Sequence, residues 1–128
     1  MSYRLDVVEK PSYLHVTVTG PHSAENARQF LAEINDICVR RDCDELLIEL
    51  NVTGPSLPTG TIFDVVSERS QRALRYRRIA YVDASTERDL DNLRFVETVA
   101  KNRGVNIRFF RKVDEAENWM REPETVRR

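Results

Sequence analysis

Few side chains in this chain have the chemistry for catalysis or metal binding, so their types and spacing decide what can be asked of them. His15 and His22 are the only two histidines in 128 residues. His15 falls on the polar side of an alternating β segment and His22 directly precedes a helix start, so structural hydrogen bonding is the expectation for both. Cys38 and Cys43 are separated by Val39, Arg40, Arg41 and Asp42. A structural zinc site takes four close-set Cys or His ligands, which this set does not supply, and no metal is expected. Cys38 continues an apolar helical stripe and reads as a core residue, while Cys43 lies in a charged turn. A reduced pair is expected rather than a disulfide. Asp83 at a strand end and Glu49 within a strand would make a carboxylate pair if they converged. Shaping a turn for Asp83 and facing solvent for Glu49 are the simpler roles. There is no Gly-x-Ser-x-Gly elbow, P-loop or dinucleotide fingerprint, and no cofactor is implied.

Three further groups have chemistry of a softer kind. The loop NVTGPSLPTG (Asn51 to Gly60) ends where a helical pattern begins. Ser56, Thr59, Gly60 and Thr61 are candidates there for an anion or phosphate site, with capping and turn formation as the more economical role of Ser56 and Thr59. Arg69, Arg72, Arg75 and Arg77, followed by Arg78, form the densest run of charge. They read as a solvated helix end that complements the dipole, supported by an i,i+4 pair from Glu68 to Arg72. The sharper alternative is a docking patch for an acidic protein surface or a lipid headgroup. Phe109, Phe110, Trp119 and Met120 read as core packing, with an apolar ligand cavity as the alternative.

The elements that must position these groups follow from periodicity. Tyr3 to Glu9 and Tyr13 to Thr19 are rich in β-formers, and Lys10-Pro11-Ser12 between them predicts an antiparallel hairpin. Ser23 is the expected N-cap of a helix with the apolar stripe Ala24, Ala27, Phe30, Leu31, Ile34, Ile37 and Cys38, and Asp36 to Arg40 is a supporting pair. ELLIEL (Glu45 to Leu50) is a strand. A second helix follows near Thr59 or Thr61, where Thr61 with Asp64 fits a capping-box spacing. Its inner side is expected to be Ile62, Phe63, Val66, Ser70, Ala73 and Leu74. A fourth strand spans about Arg78 to Val82, and Thr86 with Asp89 suggests the next cap. Leu90, Leu93, Val96 and Ala100, widened by Phe95 and Val99, make the third helix, which Gly104 stops. VNIRFF (Val105 to Phe110) is the fifth strand, and Asp114 is the expected cap of a last helix carrying Ala116, Trp119 and Met120. Residues 122–128, from just before Pro123, read as a frayed tail.

Strand and helix in regular alternation predict an α/β fold with a mostly parallel five-stranded sheet. Crossovers that advance steadily give strand order 1-2-3-4-5 as a right-handed βα superhelix, with helices mainly on one face. In the second strand Leu14, Val16 and Val18 oppose His15, Thr17 and Thr19, so the early strands are one-sided. The barer face is solvated, covered by a single element, or used by a partner.

Bulk properties bound the rest. The length suits one domain covering residues 1–128, and roughly two thirds of the unfolded surface would be buried at this size. Twenty basic against 21 acidic residues give a net charge of −1, with 41 % hydrophobic and 32 % charged residues. Nothing in that balance favours nucleic acid or anionic membranes. No run approaches membrane-spanning length and MSYRLDVVEK has no apolar signal core, so a cytoplasmic location is expected. An exposed sheet edge is compatible with a homodimer, though no residue specifies one.

A hairpin followed by repeated βα turns resembles the STAS domains, in particular the stand-alone SpoIIAA-like branch related to the SEC14 lipid-transfer fold. ELLIEL with its loop, IAYV in the fourth strand and the ending VNIRFFRKVDEAENWM carry the likeness, over about Tyr3 to Met120. STAS regulators carry Asp-Ser-Ser-Gly at the start of the second helix, the first serine being phosphorylated by a partner kinase. Here Leu57-Pro58-Thr59-Gly60 occupies that place: Leu57 stands for the aspartate, Pro58 for the phosphorylated serine, and only Thr59-Gly60 keep the tail. The resemblance implies a non-enzymatic module acting through a protein partner at residues 51–61, with a carrier of a small apolar or lipid-like ligand as the alternative. An enzyme with a histidine or carboxylate near the strand ends is the third reading.

Overall fold

The computed structural model describes residues 3–85 and 90–122. Strands β1 (Arg4–Glu9) and β2 (Leu14–Pro21) form an antiparallel hairpin, closed by Lys10 N–H donating to Tyr13 O at 2.9 Å. Strands β3 (Glu45–Thr53), β4 (Arg78–Asp83) and β5 (Ile107–Phe110) add in parallel, in the order β1-β2-β3-β4-β5. Helices α1 (Ala24–Arg40), α2 (Thr59–Ala73) and α3 (Leu90–Asn102) make the crossovers, and α4 (Val113–Arg121) follows β5. This is the expected architecture.

An order that follows the chain makes every crossover advance the same way, which sends α1, α2 and α3 to one face. There Leu14, Val16, Val18, Leu46, Ile48 and Leu50 meet Ala27, Phe30, Ile34 and Cys38 of α1, with Val65 of α2 and Ala100 of α3. The opposite face is covered by the single helix α4. Ala116, Trp119 and Met120 pack there on Tyr13, Leu47, Ala80 and Val82. Because side chains alternate along a strand, β3 and β4 feed both cores and read as nearly continuous apolar runs. β2 feeds mainly the first, and His15 and Thr17 stay only half-buried on the other side.

Ser23 caps α1 as expected, its Oγ accepting from Asn26 N–H at 3.0 Å. Asn26, fully buried, donates through Nδ2 to Pro21 O at 2.9 Å and so fixes the turn from β2. Gly104 ends α3 with φ of 86° while its N–H donates to Lys101 O at 2.9 Å, the left-handed stop that glycine permits.

Several local expectations are corrected. Of the two starts expected for α2, the structure takes Thr59 and not the Thr61 capping box, because Pro58 at the N-cap has a fixed φ suited to helix entry and Ile62 N–H already donates to Pro58 O at 3.0 Å. Thr61 and Asp64 therefore fall inside the helix, and no side chain caps it. α4 begins after Lys112, one residue before Asp114, which sits in the first turn where its charge still favours the dipole. The Asp36–Arg40 and Glu68–Arg72 pairs do not form. Glu68 instead receives Arg28 of α1 at 2.9 Å and 3.3 Å, tying α1 to α2. Phe63 and Leu74 flank the inner stripe of α2 and are 42 % and 52 % exposed, so the buried side is Ile62, Val65 and Ser70. Arg103 covers the Phe63 ring at 4.9 Å, and Leu74 Cδ2 fills the space where a side chain at Gly104 would stand. The expected Thr86 and Asp89 cap, and residues 123–128 of the tail, lie outside the described residues. Glu122 is described, and its carbonyl accepts from Arg78 at 2.8 Å.

Candidate functional site

The outward placement of Phe63 and Leu74 has a direct consequence beneath α2. The side chains left to face the sheet are Ile62, Val65, Val66, Ser70 and Ala73, none of them aromatic. α2 packs between α1 and α3 rather than directly on the strands. The space between is a cavity of about 150 Å³. Its floor is Ile48 of β3, Ile79 and Tyr81 of β4 and Ile107 of β5; Phe30 and Leu31 of α1 wall one side, and Leu93 and Val96 of α3 the other.

Polar groups sit at the cavity's two extremities. At the C-terminal ends of the strands it is lined by His22, Ser56, Asp83 and Asn92. Asp83 is fully buried and its Oδ1 accepts from Ser85 N–H at 3.2 Å, so it shapes the turn leaving β4, as expected. Arg111 reinforces that turn, donating to Ser85 O at 2.6 Å. Arg69 of α2 lies toward the other end, about two turns, on the order of 10 Å, beyond Ile62. Burial, then the like charge of Arg72, push the Arg69 guanidinium pKa down from its ordinary value.

Of the expected loop candidates, Ser56 lines the cavity, while Thr59 and Gly60 are exposed at the first turn of α2 and Thr61 is half-buried. The arginines do not form one free patch. Arg75 donates to Cys43 O at 2.8 Å and stacks on Tyr76 at 4.8 Å, and Arg77 lies 3.9 Å from both Asp44 and Glu45. Arg72 is exposed, and Arg69 turns to the cavity. Phe109, Phe110, Trp119 and Met120 do not line it. Phe109 lies beside Tyr81 on the first face, whereas Phe110 packs on Trp119 with ring centres 5.8 Å apart on the second.

The other titratable groups are separated from the cavity. Glu49 and Asp83 project to opposite faces, since Asp83 pairs in register with Leu50. Glu49 is half-buried rather than solvated: its Oε1 lies 2.9 Å from His15 Nε2, and Glu117 of α4 lies 4.0 Å from His15 Nδ1. Both cysteines are free, and burial pushes the Cys38 thiol pKa up. Among the described residues no group of His, Cys, Asp and Glu side chains could hold a metal ion, and no helix is long and apolar enough to cross a membrane.

No protein-family model matches the chain, and no curated protein matches it. Among solved structures it is similar to an uncharacterized protein of the DUF3478 family from Shewanella loihica PV-4, described as having a SpoIIAA-like fold. The superposition has a TM-score of 0.56 at 14 % identity and covers 92 % of this chain and 93 % of that one. The fold is SpoIIAA-like. Within the SpoIIAA-like frame, the C-terminal ends of the parallel strands are where ligands collect in open α/β sheets. Of the residues that line the cavity there, His22, Ser56 and Asp83 were singled out from sequence and Asn92 was not. The available signal was the inner stripe of α2, too small to fill the space its helix spans.

Proposed function

We propose that this protein is a non-catalytic binder or carrier of one small apolar or amphipathic molecule, held between α2 and the sheet. The observation supporting this is the cavity of about 150 Å³ with walls of Ile, Val, Leu and aromatic side chains. An apolar cavity of comparable size takes a ring such as benzene. The ligand class is therefore a single small ring or a short alkyl chain. Native mass spectrometry of gently purified protein tests this, with an adduct expected on the folded charge states that is lost on unfolding. A ligand-free mass, together with no saturable uptake of 1-hexanol, contradicts it.

A second reading, regulation through a protein partner at residues 51–61, is favoured by the bare first turn of α2. Pro58 supplies no side-chain cap, no acid sits in that turn, and Thr59 and Gly60 are exposed. Phosphosite mapping of protein from its native cells checks it: modification of Ser56 or Thr59 supports a switch, and unmodified peptides under all growth conditions count against one.

A further inference from the structure

We propose that the ligand beneath α2 is a small monocarboxylate, its acid group held by Arg69 and its apolar part lying along Val65, Tyr81 and Val96. This rests on the binding role proposed above and specifies the ligand's charge. Three arginines among the described residues are drawn away from the exposed surface: Arg69, Arg78 and Arg111. Arg78 is ion-paired with Glu45 and donates to two carbonyls, and Arg111 donates to the carbonyls of Asp83 and Ser85. Arg69 has no ion pair or hydrogen bond to a described residue, although it lines the cavity. Its sequence neighbour Glu68 is engaged by Arg28. Asp36 acts on Arg69 only at longer range, and Arg72 adds a like charge. Arg69 is half-buried at the cavity wall with its guanidinium donors unengaged, and a bound carboxylate meets such a group with two parallel N–H···O bonds.

The surroundings also limit the anion. Ser70 Oγ, the other polar side chain of α2 that lines the cavity, already donates to Val66 O at 2.6 Å, so one guanidinium is the main donor and a doubly charged phosphate is poorly served. A second acid group on the ligand would run toward the Asp83 carboxyl at the far end. A chain or ring of about six carbons matches the space.

Calorimetric titration of the full chain with hexanoate, 1-hexanol and hexylamine decides the matter. Hexanoate is expected to bind at least about tenfold tighter than hexanol, the size of one charge-assisted hydrogen bond, and hexylamine more weakly than either. Arg69→Gln should bring hexanoate down to the level of hexanol while hexanol affinity stays. Arg69→Lys, which keeps the charge, should restore part of the preference. Equal binding of hexanoate and hexanol by the unaltered protein, or a preference that survives Arg69→Gln, overturns the carboxylate assignment and leaves the cavity's binding role standing. Failure of all three probes overturns both.

Discussion

Glu45 and Arg78 stand opposite one another on the parallel strands β3 and β4, with Arg78 Nε 3.2 Å from Glu45 Oε1 and the arginine side chain 3 % exposed. Nε lies off the line of a good hydrogen bond to that oxygen, so the contact there is coulombic. The directional bonds go elsewhere. Nη1 donates to Trp119 O at 2.6 Å and Nη2 to Glu122 O at 2.8 Å, capping the last turn of α4. One arginine thus fastens the helix of the second face to the N-terminal end of β4.

Arg78→Met removes the nearest charge from Glu45, leaving Arg77 at 3.9 Å, and takes the side-chain donor from the carbonyls of Trp119 and Glu122. A loss of about 3–5 kcal/mol is expected, as for breaking a buried pair. The double change Arg78→Met with Glu45→Met should cost less than the single change, because no uncompensated charge remains. Urea denaturation of the three variants checks both statements, and a single change that costs nothing refutes the role given to Arg78.

Alkaline pH should destabilise the fold through its tyrosines. Burial, and next the Cys38 thiol, push the Tyr76 phenol up, and its hydroxyl donates to Asn35 Oδ1 at 3.0 Å. Burial with the Glu33 carboxylate pushes Tyr3 up to about 12. An unfolded phenol titrates near 10. The folded chain therefore holds these protons more tightly, and the stability they confer is intact below about pH 10 and lost as pH rises through the folded values. The urea midpoint should fall as pH rises above about 10, and the fall should shrink in a Tyr3→Phe, Tyr76→Phe double variant. An equal fall in both proteins would contradict the linkage.

The two thiols should differ sharply. Cys38 is fully buried with its pKa pushed up by burial, whereas Cys43 is half-buried at the surface end of α1 and donates to Glu45 O at 3.0 Å. Alkylation under native conditions, followed by peptide mapping, should label Cys43 well before Cys38, with Cys38 reacting only on unfolding. Equal rates would show that the first core opens easily near the end of α1.

Val65→Phe places a ring in the space beneath α2. Filling a void commonly raises stability by about 0.5–2 kcal/mol, and the same change should abolish uptake of hexanol. Val96→Phe, entering from α3, is the companion should the first overpack. A folded, filled variant that still binds the probe would place its site elsewhere.

How much of this was legible in the sequence depends on which physics sets each feature. Strand order, the hairpin and the one-sided β2 follow from periodicity and from the handedness of crossovers, local rules that residues such as Leu14, Val16 and Val18 obey. Ser23 and Gly104 were legible for the same reason, since caps and left-handed stops are made by nearest neighbours. The start of α2 was not. Pro58 and Thr61 both make good helix entries, and only the surrounding packing selects one. Nor was the cavity. Phe63 faces away from the sheet beneath Arg103, a contact between residues forty positions apart that local periodicity does not show. The grouping of Phe109 with Phe110 failed because adjacent strand residues face opposite ways. Arg69 was legible as charge but not as a cavity residue.

The most direct measurement is a methyl-resolved NMR titration of the protein with 1-hexanol. Saturable shifts are expected at Ile48, Ile62, Val65, Leu93 and Val96, with Leu47, Ala80 and Met120 on the α4 face unmoved. Shifts confined to the α4 face, or absent throughout, would contradict a ligand site between α2 and the sheet.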